Sequence, residues 1–359
     1  MKGNAIEIAV VGCGHWSTEA HLPALAADAR ARIAAVVDPD AEAREIAREG
    51  FGDDATLAFA SVEEMLQAER PDGAVVAVPH AQHAPLAIAL ARAGVHLLVE
   101  KPLVLDPADG DALLAAAADA GVEIVVGYPW HYNAQAIALR AAILAGRIGT
   151  IELAACTYGS TVREYYRGDV ETYRSDWGYQ RAPHPETYSD PAIAGGGQGQ
   201  TQVTHAAALL LFLTGLSPVR VTAEVERFEL PVDLADALTV RFEGGAIGTL
   251  ASTGGVARGH DEVLEYRIFG DRGHVGYDVM QGRAWIAGTG GLVEELALLP
   301  PALRYPQRAP VGNLIEVVAG TAPNGSPGSL GQVVVGLVDG MYRSARDGGR
   351  PVALGGGPA

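Results

Sequence analysis

Short apolar runs alternate with amphipathic helical stretches over the first third of the chain. This alternation is typical of βαβ units, which build a parallel sheet with helices on both faces. The predicted strands are Ile6–Val11, Ile33–Val37, Gly73–Val78, Val95–Val99 and Val122–Val126. The predicted helices between them are His21–Ala27, Ala41–Glu49, Ser61–Gln67, His83–Ala93 and Ala108–Ala120. The pattern therefore predicts a doubly wound α/β domain over residues 1–127.

The pattern changes after Tyr128 to longer segments with alternating apolar and polar residues, separated by glycine-rich turns. Such alternation indicates a largely antiparallel sheet with one solvated face. We expect an α+β domain over residues 128–359, built on an open sheet, with the C-terminal helices packing back. Strands are predicted at Ile151–Tyr158, Val219–Arg227, Ala237–Phe242, Ala246–Thr253, Glu262–Gly270 and His274–Asp278, and helices at Asn133–Ala145, Gln202–Thr214, Asn313–Ala319 and Gln332–Arg346.

Length and composition support two domains and exclude several partners. A chain of 359 residues with 48% hydrophobic residues has enough apolar material for two cores. A net charge of -17, with no basic stripe, argues against nucleic acid or an anionic membrane as a partner. No secretory leader or membrane-length apolar run is visible, so we expect a cytoplasmic protein. Cys13 and Cys156 match no metal-binding spacing, so we expect packing roles and no metal.

A glycine-rich loop follows the first predicted strand and includes Gly12, Gly14, His15 and Trp16. Glycines here allow a tight turn and let a pyrophosphate approach the start of the next helix. Asp38 ends the second strand, where a carboxylate can bind ribose hydroxyls and repel a 2′-phosphate. The loop, helix and acid in this order predict an NAD site, and the alternative is a tight turn that binds nothing.

The third predicted strand ends at Pro79 and His80, and His83 begins the following helix. Ligands of open α/β sheets bind at the carboxyl ends of the strands, so these residues are candidate cofactor contacts. For His83, a helix-capping role is an equal alternative.

Glu100-Lys101-Pro102 follows the fourth predicted strand, at the same edge of the sheet. A partly buried lysine changes its proton affinity readily and can exchange a proton with a substrate hydroxyl. We therefore predict that Lys101 is catalytic and lies beside the cofactor. The alternative is a surface lysine that happens to follow a strand.

These motifs together resemble the glucose-fructose oxidoreductase, inositol dehydrogenase and rhizopine-catabolism (Gfo/Idh/MocA) family. The resemblance covers Gly12-Cys13-Gly14, Asp38-Pro39-Asp40, Pro79 to His83, Gly94 to Leu103, Gly195-Gly196-Gly197 with His205, and Asn313-Leu314-Ile315-Glu316. It implies an N-terminal Rossmann domain, a C-terminal domain whose open sheet supports a homodimer or homotetramer, and NAD(P)-dependent chemistry on sugars and cyclitols. It also implies that Lys101 and His205 are active-site residues and that Glu100 contributes to the cofactor site.

The chain departs from the family pattern at Thr201, where an aspartate usually stands four residues before the histidine. Without that carboxylate, nothing in the motif raises the basicity of His205 or orients it. Thr201 and Gln202 can still hydrogen-bond a polyol. Tyr128 or His131 could supply the missing acid or base, although packing at the domain junction is an equal alternative for both.

The long segment from Gly159 to Gly197 is rich in aromatic residues and arginines. Flat apolar rings and guanidinium groups suit a sugar ring that carries an anionic group. An alternative is that this segment covers a partner subunit. The candidate substrate residues are Arg163, Tyr166, Arg174 and Trp177, with Tyr165, Arg167 and Tyr173 as neighbours.

Three functions fit the sequence. The first is an NAD-dependent dehydrogenase acting on a hydroxyl of a sugar, sugar acid or cyclitol, with Lys101 and His205 from separate lobes converging on the reacting carbon. The second is a redox-neutral glycosidase, in which transient oxidation allows elimination, water addition and return of the hydride. The third is a non-catalytic NAD-binding regulator, against which the presence of Lys101 and His205 argues.

Overall fold

The computed structural model describes residues 5–178 and 181–355. The strands in these ranges are β1 Ile6–Val11, β2 Ala31–Val37, β3 Leu57–Phe59, β4 Gly73–Val76, β5 His96–Val99, β6 Ile124–Val126, β7 Ile151–Gly159, β8 Pro218–Glu226, β9 Ala235–Phe242, β10 Ile247–Thr253, β11 Val263–Gly270, β12 Gly273–Asp278, β13 Arg283–Gly288, β14 Val293–Glu295 and β15 Val352–Ala353. The α-helices are α1 Leu22–Ala26, α2 Ala41–Phe51, α3 Val62–Ala68, α4 His83–Arg92, α5 Pro107–Ala120, α6 Ala134–Leu144, α7 Arg163–Arg167, α8 Val170–Trp177, α9 Glu186–Ser189, α10 Pro191–Ala194, α11 Thr204–Thr214, α12 Pro301–Arg304, α13 Ala309–Val318 and α14 Gly328–Arg346.

The first compact unit contains a six-stranded sheet in the order β3-β2-β1-β4-β5-β6. All neighbouring strands in it run parallel. This confirms the predicted doubly wound sheet. The prediction missed β3, which has three residues, of which Leu57 and Ala58 are exposed. An exposed edge strand leaves little apolar pattern in the sequence.

Residues from distant parts of the sequence complete this first unit. It contains residues 1–127, 170–187 and 307–328. Leu314 and Ile315 of α13 are fully buried in one cluster with Ile8, Val10 and Leu98 of the sheet. Segments that join a core from so far along the chain cannot be found by reading consecutive residues.

The second compact unit contains a nine-stranded sheet in the order β14-β13-β12-β11-β7-β10-β9-β8-β15. Every adjacent pair is antiparallel except β7 and β10, which run parallel. This confirms the largely antiparallel open sheet. Helices α6 and α11 pack together, α11 also contacts β7, and α6 contacts β13.

The long aromatic segment forms four short helices, α7 to α10, where no helix was predicted. Helices of four to eight residues are too short for their apolar periodicity to be recognised. No helix in the described ranges is both long enough and apolar enough to span a bilayer.

Candidate active site

The glycine loop lies between β1 and a π-helical turn at Ser17–His21. Gly12 has a φ of +90°, and a Cβ there would lie 2.4 Å from the carbonyl oxygen of Ala77. No side chain fits at this position, so the loop can pass close to the end of β4 only with glycine. A Cβ on Gly14, in contrast, would meet nothing within 4 Å. The loop is therefore closely packed at Gly12 and open at Gly14.

Asp38 holds this loop from the end of β2. Its Oδ2 accepts a hydrogen bond from the Cys13 amide at 2.8 Å, and its Oδ1 accepts one from the Asp40 amide at 2.9 Å. Each carboxylate oxygen has a further lone pair, so ribose hydroxyls could also bind. The open backbone at Gly14, the first-turn amides of the helix and the fixed carboxylate together fit a dinucleotide without a 2′-phosphate.

A contact between this loop and Arg181 was not predicted from the sequence. The Nδ1 of His15 donates to the carbonyl oxygen of Arg181 at 3.0 Å, and the Arg181 Nη2 lies 3.8 Å from the Asp40 carboxylate. Burial lowers the pKa of His15, although the Arg181 carbonyl opposes this. Arg181 lies far along the chain and outside any recognisable motif, so the sequence carries no signal that it packs on the loop.

His83 is fully buried as the first residue of α4, and Gln82 occupies the capping position before it. Its Nδ1 lies 2.7 Å from the Pro102 carbonyl oxygen and its Nε2 lies 2.9 Å from the Val78 carbonyl oxygen. Burial lowers the pKa of the ring, while both carbonyls favour the protonated form. His83 thus ties the turn after Lys101 to the end of β4. Pro79 precedes the short helical turn His80–Gln82, and the His80 side chain is buried too.

Glu100 is the centre of a buried hydrogen-bond network directly after β5. Its Oε1 accepts from the indole Nε1 of Trp16 at 2.9 Å and from Nε2 of His21 at 3.0 Å. Its Oε2 accepts from the backbone amide of Lys101 at 3.1 Å. Burial raises the pKa of this carboxyl, but the His21 hydrogen bond and the neighbouring positive charges outweigh it, so the pKa lies below its ordinary value.

Lys101 follows this carboxylate, and its side chain is partly buried. Burial lowers the pKa of its ammonium group, and the Glu100 carboxylate opposes part of that change. A lysine whose pKa is lowered can give up and take back a proton more readily at moderate pH. Lys101 and Glu100 were predicted here, whereas His21 was not, because nothing in the sequence shows which side chain reaches the carboxylate.

In the second unit, His205 lies near the start of α11 between two aromatic side chains. The Tyr128 ring centroid is 5.9 Å from that of His205, and the Trp130 centroid is 5.3 Å away, both edge to face. The Tyr128 hydroxyl is 3.0 Å from the Thr204 hydroxyl. This places Tyr128, one of the two alternative acid or base groups, beside His205.

His131, the other alternative, stacks on Phe212 with ring centroids 4.5 Å apart. Burial lowers its pKa to about 3, despite a hydrogen bond to the Ala208 backbone. The ring is therefore neutral at physiological pH and packed against α11. Between the two alternatives, this geometry favours Tyr128 as the group beside His205.

Thr201, at the position of the usual aspartate, lies in a π-helical turn at Gly199–Val203. Its hydroxyl donates to the Gly197 carbonyl oxygen at 2.9 Å and contacts the Tyr166 hydroxyl. Tyr166 is fully buried and also donates to Gln198 Oε1 at 2.9 Å. A network of neutral hydroxyl and amide groups thus occupies the space around Thr201. Gln202 is partly exposed.

A buried aspartate that was not predicted holds the start of this turn. Asp233 accepts from the Gly197 and Gly199 amides, each at 2.7 Å, and from the Tyr342 hydroxyl at 2.9 Å. A Cβ on Gly197 would lie 2.1 Å from the Asp233 carbonyl oxygen. The glycines before Thr201 are therefore required by close backbone packing.

The arginines of the aromatic segment form surface ion pairs. Arg163 and Arg167 both contact Glu229, at 3.1 and 2.9 Å, and Arg174 contacts Glu171 at 2.8 Å. Exposed pairs of this kind are weak enough to exchange for another anion. The side chains of Tyr173 and Trp177 lie outside the described part of the structure.

Comparison with known proteins assigns the chain to a family. Residues 6–128 match the profile "Oxidoreductase family, NAD-binding Rossmann fold", and residues 160–276 match the "GFO/IDH/MocA C-terminal domain". The chain belongs to the Gfo/Idh/MocA family. The resemblance seen in the motifs is thereby confirmed, and so is the expectation of NAD as cofactor for the Rossmann domain.

Two curated relatives show the range of this family. The chain is 30% identical over 172 residues to dTDP-3,4-didehydro-2,6-dideoxy-alpha-D-glucose 3-reductase of Streptomyces violaceoruber, covering 48% of each protein. It is 37% identical over 148 residues to the myo-inositol dehydrogenase Hyg17 of Streptomyces leeuwenhoekii, covering 41% of this chain and 43% of that protein. The chain thus spans about half the length of the curated relatives it matches.

A solved structure supports the fold over the whole chain. The WlbA dehydrogenase of Bordetella pertussis, in complex with NADH and UDP-GlcNAcA, superimposes with a TM-score of 0.79, covers 99% of each chain and is 23% identical.

Proposed function

We propose that this protein is an NAD-dependent oxidoreductase that acts on a hydroxyl of a sugar, sugar acid or cyclitol. The observation that carries the proposal is the position of Lys101, with its lowered pKa, directly after a strand of the NAD-binding sheet. The relatives support the substrate class, since they act on an inositol and on a nucleotide-linked deoxysugar by name.

Residues of the Rossmann domain would bind the cofactor and exchange the substrate proton. Gly12, Gly14 and Asp38 would hold NAD, with His15, Trp16, Pro79 and His80 around them. Bound NAD supplies a hydride acceptor. Lys101 would exchange the proton of the substrate hydroxyl and hold the alkoxide as it forms, a role worth about a hundred- to ten-thousandfold in rate for a positioned acid or base.

Residues 128–359 would supply the remaining groups. His205 and Tyr128 would complete the proton path, and Thr201, Gln202 and His131 would bind or shape the site for the substrate. Arg163, Arg174 and Trp177 would bind an anionic substituent. Tyr166 is fully buried, which supports a role in holding Thr201 rather than in touching the substrate.

We further propose that residues 1–127 hold the cofactor and 128–359 the substrate, and that the protein is a cytoplasmic homodimer or homotetramer. Leu153, Ile247 and Phe269 support the oligomer, because they are exposed apolar residues on neighbouring strands of the large sheet. Light scattering of the wild type and of Leu153→Glu tests this. A monomeric wild type would contradict it.

A substrate panel tests the activity. Purified protein is mixed with NAD and inositols, sugar acids and nucleotide sugars, and the absorbance of the reduced cofactor is followed. Reduction of NAD by at least one of these substrates, lost in Lys101→Met, is expected. Silence across the panel would contradict the proposal, and release of aglycone from an aryl glycoside without net NADH would favour the redox-neutral glycosidase.

A further inference from the structure

The chain contains 24 arginines but two lysines, Lys2 and Lys101. Arginine stays protonated under all physiological conditions, whereas lysine can lose its proton when its surroundings favour the neutral form. Among the described residues, Lys101 is the one lysine, and it lies where the proposed function assigns proton exchange. The groups around Lys101 then decide how readily it releases that proton.

Glu100 is the neighbour that can control Lys101. Two side-chain donors, Trp16 Nε1 and His21 Nε2, converge on Oε1, while the Lys101 amide donates to Oε2. The carboxylate is enclosed, because a Cβ on Gly127 would lie 2.7 Å from Oε1. With both oxygens bound and no room to turn, the carboxylate has a single orientation relative to the backbone of Lys101.

The two donors reach Glu100 from the same short segment after the glycine loop. Trp16 precedes the π-helical turn and His21 ends it. A π-helical turn contains an extra residue, which redirects the side chains that follow it. The Nδ1 of His21 has no hydrogen-bond partner among the described residues, so the contact with Glu100 is what orients this ring.

We propose that Glu100 is a positioning residue for Lys101, held in place by Trp16 and His21, and that its negative charge sets the proton affinity of the Lys101 amine. The proposal rests on the proposed function only in assigning proton exchange to Lys101. The Glu100 carboxylate contacts Trp16 and His21, which follow the glycine loop, and also the backbone of Lys101. Glu100 thereby has a role apart from direct cofactor contact.

Three titratable side chains share this environment with Glu100. His21 donates to the carboxylate, Lys101 follows it in the chain, and the buried His83 interacts electrostatically with both Glu100 and Lys101. Of these groups, Glu100 alone carries a negative charge. Its removal therefore takes away a negative charge that favours the ammonium form of Lys101.

The small number of lysines makes a direct test possible. Protein labelled with ¹³C at the lysine ε-carbon gives two signals, and Lys101→Arg identifies the one from Lys101. In Glu100→Gln, which keeps the shape but removes the charge, the Lys101 titration midpoint is expected to fall by about one to three pH units. Glu7→Gln, near the amino end of β1 and away from the carboxyl edge of the sheet, is the control and should leave the midpoint unchanged. An unchanged midpoint in folded Glu100→Gln would overturn the proposal.

A measurement on the wild type tests the same proposal even if Glu100→Gln does not fold. The four tryptophans give four indole N–H signals, and Trp16→Phe identifies that of Trp16. Because Trp16 and Lys101 share Glu100, the Trp16 indole resonance should titrate with the Lys101 midpoint. Independent titration of the two signals would contradict the proposal. Both readouts need no substrate, so they remain valid even if the proposed activity is wrong.

Measurements of kcat in two His21 variants distinguish a positioning role of His21 from a purely structural one. His21→Gln keeps an N–H donor near Glu100 and His21→Leu removes it. We expect His21→Gln to retain most of kcat and His21→Leu to lose about tenfold, with a displaced pH profile and an unchanged Kd for NAD. Equal kcat and equal pH profiles in the two variants would show that His21 only packs.

Discussion

The two sets of candidate residues are built from different chemistry. Around Lys101, three polar side chains are ionisable: Glu100, His21 and His83 are all buried, and both histidines interact with Glu100. Near Thr201, the side chains of Tyr166 and Gln198 are neutral and form hydrogen bonds through a hydroxyl and an amide. We call the first the ionisable set and the second the neutral set, after these side chains.

This difference suggests where control of the proton lies. A carboxylate next to the histidine would make the second set ionisable as well, and the chain has threonine at that position. The buried Asp233 accepts from backbone amides of the turn before Thr201, whereas Glu100 lies beside Lys101. We infer that Glu100 tunes the acid-base chemistry of Lys101 in the first set, and that the second set shapes the substrate site and positions His205 and Tyr128.

The largest expected effect comes from the backbone that supports the neutral set. Gly197→Ala places a Cβ 2.1 Å from the Asp233 carbonyl oxygen, so the turn that carries Thr201 must move. We expect a loss of about 3 kcal/mol or more in the free energy of unfolding, measured by denaturant titration. Gly14→Ala, in the glycine loop of the first compact unit, is the matched variant, since its Cβ meets nothing within 4 Å. It should unfold like the wild type and bind NAD more weakly. Equal stability of the two variants would contradict the packing described.

A carboxylate introduced at the buried position 201 should make the free energy of unfolding depend on pH. In Thr201→Asp the new carboxylate is buried, so its pKa in the folded protein is raised above that of the unfolded chain. As the pH rises, the new aspartate loses its proton in the unfolded chain before it does so in the folded protein. The free energy of unfolding therefore falls between about pH 4 and the folded pKa. The total loss is about 1.4 kcal/mol for each pH unit that separates the two pKa values. Thr201→Val should lose about 1 to 3 kcal/mol at every pH, because it leaves the Tyr166 hydroxyl with fewer partners. A Thr201→Asp variant whose stability rises with pH would show that a cation already faces this position.

The smallest expected effect comes from a single hydroxyl. Tyr166→Phe removes the hydrogen bonds to Gln198 and Thr201 but keeps the buried ring. We expect a loss of about 1 kcal/mol in unfolding free energy and an unchanged pH profile of kcat. A shifted pH profile would mean that the neutral set takes part in proton transfer after all.

Much of the fold was predictable because it depends on strong local patterns. All five strands predicted for the first sheet are present, and β1 has the predicted limits Ile6–Val11. The edge strands β3, β14 and β15 were missed, since they are short and bury few side chains, and the inner strand β13 was missed as well. The joining of α13 to the first core was also beyond prediction, because long-range packing leaves no local signal.

The candidate site was predictable to a lesser degree. The sequence identifies Lys101, His205 and Asp38 through motifs, and it identifies Thr201 as a departure. It does not identify His21, Asp233 or Arg181, each of which acts through a hydrogen bond to a residue distant in sequence. The part of a site that binds ligand leaves a motif, whereas the part that holds the site in place depends on the fold.

Single-turnover reduction of NAD in Lys101→Met and Lys101→Arg, compared with the wild type, tests the role of Lys101 most directly. The substrate is one identified by the panel, and NAD is saturating in each case. We expect both variants to bind NAD like the wild type and to reduce it about a hundred- to ten-thousandfold more slowly, Arg included, since a guanidinium does not release a proton. Reduction within about tenfold of the wild-type rate in Lys101→Arg would contradict a proton-exchanging role for Lys101.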